Sequence, residues 1–210
     1  MIRVLITDDH PIVREGISKI LGANADMLVV GEAASGQEAL RMISTCQPDV
    51  VLIDISMPGI SGIELIGRIR ADHPQLPLLV LSMHKEEQFA VRALKGGAAG
   101  YLTKDCAPEQ LAAAIRKIVS GGKFITPAVA DALAAAIVPT QMETPHKLLS
   151  NREFQIFRML ASGQSVNEIA NVLSLSANTV STHKRRLMNK LGVDNNAGLV
   201  RYAINHQLIQ

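Results

Sequence analysis

Apolar residues gather in five short runs along the first part of the chain, at residues 4–7, 29–32, 50–53, 78–82 and 100–103. Most are rich in Val, Ile or Leu and all are too short for a buried helix, so each predicts a strand. The segments between them change to helical spacing. Ile12, Ile17, Ile20 and Leu21 mark the first, Leu65, Ile66 and Ile69 the third, and Phe89, Val91, Ala93 and Leu94 the fourth. Ser35-Gly-Gln-Glu38 and Ser61-Gly-Ile-Glu64 read as capping boxes opening the second and third helices. Pro108 opens a fifth, which carries Leu111, Ile115 and Ile118. Five strands alternating with five helices predict an α/β fold with a parallel sheet covered on both faces.

The pattern changes after residue 120. Gly121-Gly122 stops the fifth helix, Thr126-Pro127 starts a short Ala-rich one over 128–137, and residues 138–145, with two prolines and no periodicity, read as a linker. The short helix either packs on the front domain or takes part in a dimer contact. Beyond residue 147 the pattern is helical throughout. Ser150-Asn-Arg-Glu153 and Ser165-Val-Asn-Glu168 are capping boxes. The helix after the first carries Phe154, Ile156, Phe157, Met159 and Leu160; the short one after the second carries Ile169, Ala170, Val172 and Leu173. A turn at Ser174-Leu-Ser176 leads to a longer helix over 177–191. There Val180, Leu187 and Leu191 face inward while Asn178, Ser181, Thr182, Arg185 and Asn189 face out. A short helix, a turn and a polar-faced helix make a helix-turn-helix, and the second helix, about 22 Å long, can lie along a major groove. The domains predicted are therefore 1–120, a joint at 121–147, and 148–210.

Charge supports that division. The net charge of +2 conceals eight Lys/Arg against three Asp/Glu in residues 147–210, and thirteen against sixteen in residues 1–146. The basic back end is the candidate for nucleic acid, with Lys184 and Arg186 for phosphates and Arg185 for a guanine edge or a phosphate. With 48% hydrophobic residues, no Trp and 3% aromatics, the core must be mostly aliphatic. No apolar run approaches the ~18 residues of a membrane span. The first residues run straight into a strand without signal-peptide features, and Cys46 and Cys106 stand apart. The expectation is a cytoplasmic protein without a membrane partner.

In parallel α/β sheets the working site lies beyond the C-terminal strand ends. That rule gathers Asp8 and Asp9 from the first strand, Asp54 from the third, Ser82 from the fourth and Lys104 from the fifth. Any one of these has an ordinary alternative, such as a helix cap for an aspartate or a solvated position for the lysine. Together, crowded carboxylates call for a cation, and hard oxygen ligands suit Mg²⁺. Asp54 would then attack phosphorus while Ser82 and Lys104 hold phosphoryl oxygens. His84 is left outside this set.

These residues, with Asp54…Met57-Pro-Gly59 and Gly100-Tyr-Leu-Thr-Lys104, resemble the receiver domain of two-component response regulators. Leu149-Ser-Asn-Arg-Glu153, Val166-Asn-Glu-Ile-Ala170, Leu175-Ser-Ala-Asn-Thr-Val-Ser-Thr-His183 and Lys190-Leu-Gly-Val193 resemble the LuxR-type DNA-binding domain of the NarL/FixJ subfamily. The resemblance implies a flavodoxin-like doubly wound receiver followed by a small four-helix domain. It implies phosphorylation of Asp54 by a sensor histidine kinase and Mg²⁺ at Asp8, Asp9 and Asp54, aided by the Ser56 carbonyl. It further implies that Ser82 and Tyr101 reorient on phosphorylation, and that a fourth helix, residues 196–205, supports a homodimer on promoter DNA. Such a protein is a regulator, not an enzyme acting on other molecules. Two departures stand out: Asp105 follows the lysine where many receivers have Pro, and Ser181 stands where relatives often have Lys. An aspartate-nucleophile phosphatase is the alternative from another class, but its common motif has a second Asp where this chain has Ser56. A DNA-binding protein whose front domain is only a scaffold is the other.

Overall fold

The computed structural model describes residues 1–83, 87–137, 145–206 and 208–209. His84 and residues 138–144, which hold most of the expected linker, lie outside the described residues. Two compact units result, Met1–Val138 and Pro139–Gln210.

In the first unit strands β1 (Ile2–Thr7), β2 (Met27–Ala33), β3 (Val50–Asp54), β4 (Leu78–Ser82) and β5 (Gly100–Thr103) form one parallel sheet in the order β2-β1-β3-β4-β5. Helices α1 (Pro11–Gly22), α2 (Gly36–Cys46), α3 (Gly62–Asp72), α4 (Glu87–Lys95) and α5 (Pro108–Val119) connect and follow the strands. Val4, Ile6, Val50, Leu52, Leu79 and Leu81 pack with Ile17 and Leu21 of α1 and with Leu111, Ile115 and Ile118 of α5. The alternate positions Leu5, Val51, Ile53 and Val80 are buried as well, so both faces are covered, as a parallel sheet requires. The strand order reverses between β1 and β3, which places their C-terminal ends beside the fold's natural crevice.

Local details depart from expectation. Ile12 is 85% exposed because five residues of helix turn it about 140° from Ile17; Val13 takes the inward position. The Ser35 and Ser61 hydroxyls do cap α2 and α3, accepting from the N–H groups of Glu38 and Glu64. The reciprocal halves differ: Glu38 accepts from Ala34, and Glu64 pairs with Arg68. After α5 the chain runs along the edge of β5, where Phe124 N–H donates to Ala99 and Tyr101 N–H donates to Phe124. A side chain at Gly100 would strike the Phe124 carbonyl, so glycine permits this approach. Helix α6 (Pro127–Ile137) then packs against α4, with Val129 buried.

The second unit opens on a 3-10 turn (Pro145–Leu148) and continues with α7 (Asn151–Ala161), α8 (Val166–Val172), α9 (Ala177–Leu191) and α10 (Asn196–Asn205). Both capping boxes are complete. Phe154, Phe157, Ile169, Val180, Leu187, Leu191 and Leu199 form its core, whereas Val172, at the end of its short helix, is exposed.

Candidate functional site

Each acid of the first unit reaches the crevice for a local reason. Asp8 follows β1, its N–H donating to Ala33 of β2, and its carbonyl accepts from Arg14 Nη1 at 2.7 Å. Asp54 is the last residue of β3, the central strand, and is buried. Its Oδ1 accepts from the Ser56 N–H at 3.1 Å, which brings Ser56 into the loop beside it. Gly62 starts α3 so close to Asp54 that any side chain would collide with the Asp54 carbonyl. Pro58-Gly59 turns the intervening loop, with Gly59 at φ +72°. Ser82 ends β4 and is fully buried, and its carbonyl accepts the Lys104 N–H at 2.8 Å. Tyr101 is buried on β5.

Lys104 draws the set together. Its Nζ lies 2.6 Å from Asp8 Oδ2 and 2.8 Å from Asp54 Oδ2, with only 7% of the side chain exposed. Burial pulls the ammonium's pKa down, but Asp54 and Asp8 outweigh that and hold it above its ordinary value. Burial pushes the Asp54 carboxyl up; Lys104 and the Ser56 N–H offset part of this, and Asp8 adds to it. The acids therefore carry more negative charge than one lysine balances.

Two groups that the sequence reading passed over also face the site. His10 Nδ1 lies 3.0 Å from Asp9 Oδ1 and 3.4 Å from Asp8 Oδ1. Arg14 reaches from Asp8 to Glu32. His10 directly follows the acidic pair, and that adjacency was the available signal; nothing in a helical pattern marks Arg14. Ligand atoms of Asp8, Asp9, His10 and Asp54 all lie within 4.8 Å of one another. Asp9 Oδ1 is shut from water, with His10 Nδ1 3.0 Å away. A cluster of hard carboxylate oxygens around a single lysine fits a divalent cation held by Asp8, Asp9 and Asp54.

In the second unit Asn178, Ser181, Thr182, Arg185, Arg186 and Asn189 are exposed along α9, and Lys184 is half-buried. A shallow cleft of about 290 Å³ runs past Ser181, Lys184, Arg185, Met188, Asn189 and Asp194. Ser176 caps the helix, and Ser174, at φ +50°, makes the turn from α8. Glu153 anchors the far end: buried, it accepts from Lys190 Nζ at 2.7 Å and from the Ser150 N–H at 2.8 Å. His183 is half-buried, and burial with nearby Arg152 pushes its pKa down, so the basic face rests on Lys184, Arg185 and Arg186.

Among the described residues no helix is long and apolar enough to cross a membrane. Residues 4–116 match the family described as response regulator receiver domain, and residues 147–203 match bacterial regulatory proteins, luxR family. Response regulator UvrY of Escherichia coli is 40% identical over 209 residues, which cover 99% of this chain and 96% of UvrY. Response regulator GacA of Pseudomonas aeruginosa is 37% identical over 210 residues, 100% of this chain and 98% of GacA. RcsB of Salmonella enterica serovar Typhimurium, solved bound to promoter rprA with the phosphomimetic BeF₃⁻, is 31% identical with a TM-score of 0.64, covering 96% of this chain and 97% of RcsB. Strand-end acids, a lysine bridge and a basic helix after a helix-turn are thus found in a chain whose two halves each match a known domain. The chain belongs to the NarL/FixJ family of two-component response regulators, with a receiver domain followed by a LuxR-type DNA-binding domain.

Proposed function

We propose that Asp54 is the phosphoacceptor and that its phosphorylation by a sensor histidine kinase controls promoter binding through α9. Asp54 attacks phosphorus, the phosphorus–nitrogen bond to the kinase histidine breaks, and the freed imidazole keeps the electron pair and takes up a proton. Mg²⁺ held by Asp8, Asp9, Asp54 and the Ser56 carbonyl supplies charge neutralisation for the incoming group. Lys104 leaves its bridging position between Asp8 and Asp54 and pairs with a phosphoryl oxygen, while the Ser82 hydroxyl donates to another. Ser82 and Tyr101 follow the new charge, and the population shifts toward a DNA-binding homodimer in which α10 takes part.

On DNA, Asn178, Ser181, Thr182 and Arg185 face base edges and Lys184 and Arg186 face phosphates. The protein acts in the cytoplasm and turns over no other molecule; it assists only its own phosphorylation and dephosphorylation. The observation that carries this reading is the convergence of Asp8 and Asp54 on one buried lysine at the C-terminal end of the central strands. The test is binding of selected genomic fragments with and without acetyl phosphate and Mg²⁺. Stimulation in the wild type and none in Asp54→Asn supports it; stimulation that survives Asp54→Asn refutes it. Arg185→Ala should weaken binding by roughly 5- to 150-fold if it reads a base, and lower the salt slope by about 1 if it holds a phosphate.

A further inference from the structure

His10 occupies a position that the helix it precedes does not explain. It is the N-cap of α1, where Ser, Thr, Asp or Asn would satisfy a free N–H, yet its side chain makes no capping bond. Pro11 follows and needs no such bond. Instead the His10 N–H donates to Asp8 Oδ1 at 2.9 Å, which fixes the residue over the acidic crevice. Its ring turns inward far enough to set Nδ1 3.0 Å from Asp9 Oδ1, although 65% of the side chain remains open to water.

The outcome is three carboxylates and one imidazole nitrogen within 4.8 Å of one another. Around a six-coordinate ion with bonds of about 2.1 Å, ligand atoms lie roughly 3 to 4.2 Å apart, so small side-chain shifts let all four share one ion. The nitrogen changes which ion is favoured. Mg²⁺ prefers oxygen and retains its water, whereas imidazole binds Mn²⁺ and the later divalent metals increasingly well. We propose that His10 is a nitrogen ligand of the receiver pocket toward first-row transition-metal ions, giving this pocket a preference for Mn²⁺ over Mg²⁺ that carboxylates alone would not supply. The inference rests on the metal pocket of the proposed function.

The test uses the untagged full-length chain, with Mg²⁺ and Mn²⁺ titrated by calorimetry and bound Mn²⁺ observed by pulsed electron paramagnetic resonance. The wild type should bind Mn²⁺ more tightly and show ¹⁴N coupling from a directly bound imidazole. His10→Ala should lose that coupling and roughly tenfold in Mn²⁺ affinity, while Mg²⁺ affinity changes less than about twofold. His10→Asn retains an N-cap and should behave alike, so a failure of the alanine variant to fold does not shield the proposal. Mn²⁺ bound without ¹⁴N coupling overturns it, as does equal weakening of both ions, which marks a purely structural role for His10. Failure of the wild type to bind either ion, or binding unchanged in Asp9→Asn, would instead overturn the metal pocket itself.

Discussion

Asp54 in the first unit and Glu153 in the second are both buried carboxylates with a lysine at nearly the same distance, 2.8 and 2.7 Å. Their affinities for protons nevertheless shift in opposite directions. For both, burial is the largest influence and favours the neutral acid. At Glu153 it is outweighed by Lys190 and by the backbone N–H and hydroxyl of Ser150, and the carboxyl is held below the usual range. Among the described residues, the other partner of Lys190 is a neutral carbonyl, that of Leu148. At Asp54 burial prevails, because Lys104 is divided with Asp8, whose own charge pushes Asp54 further up. A carboxylate whose charge is fully compensated locks a helix. One left short of positive charge attracts a cation and a phosphoryl group, so it is the incomplete pairing that marks the working site.

Neutralising each acid in turn gives the largest contrast. Asp54→Asn should abolish phosphoryl incorporation from acetyl phosphate and at the same time stabilise the metal-free first unit at pH 7 by about 1 kcal/mol, because an under-compensated buried charge is removed. Glu153→Gln should leave incorporation intact and destabilise the second unit by about 1 kcal/mol, through a weakened capping box and lysine contact. Hydrogen exchange read peptide by peptide assigns each change to its unit. A first unit that exchanges faster in Asp54→Asn would show that the Lys104 bridge compensates Asp54 after all.

The first site was legible because strand ends in a parallel sheet must share an edge; Asp8, Asp54, Ser82 and Lys104 needed only their places after apolar runs. The outward face of α9 was legible from Val180, Leu187 and Leu191. The opposite behaviour of Asp54 and Glu153 was not, since it depends on how many donors converge in space, and Ser150-Asn-Arg-Glu153 discloses only the local ones. Lys190 lies 37 residues further on. His10 and Arg14 were missed because their roles at the crevice follow from where α1 leaves β1, and no periodicity records that. The strand-like path of Phe124 escaped for the same reason: its pairing is with Ala99 and Tyr101, and its own neighbours Lys123 and Ile125 form no repeating pattern.

A cation should sharpen the contrast from one side only, through the first unit. Mg²⁺ at ten times its dissociation constant adds about 1.4 kcal/mol to a fold that alone binds it. That increment should slow exchange in β1, β3 and the loops after them, and leave α7 and α9 unchanged. Asp9→Asn should remove most of the protection. Equal protection of both units would identify a general salt effect in place of a site.

The smallest effect is the pH dependence, and its sign differs between the two acids. Asp54 has a folded-state pKa above its ordinary 3.8, so its favourable contribution is complete below that value and is lost as pH rises through the raised one. Glu153 has a folded-state pKa below its ordinary 4.5, so its contribution is present above 4.5 and is lost as pH falls through the lowered one. Acidifying the metal-free protein from neutrality should therefore relieve the first unit of a penalty before the second unit loses its latch. Urea unfolding followed by exchange at stepped pH values reads both. The stability gap between Glu153→Gln and the wild type should close as pH falls below 4.5, and the gain in Asp54→Asn should shrink as Asp54 takes up its proton. If the Glu153→Gln gap stays constant through the acid range, Glu153 stabilises the fold by packing alone, and the electrostatic contrast between the two lysine-paired acids fails.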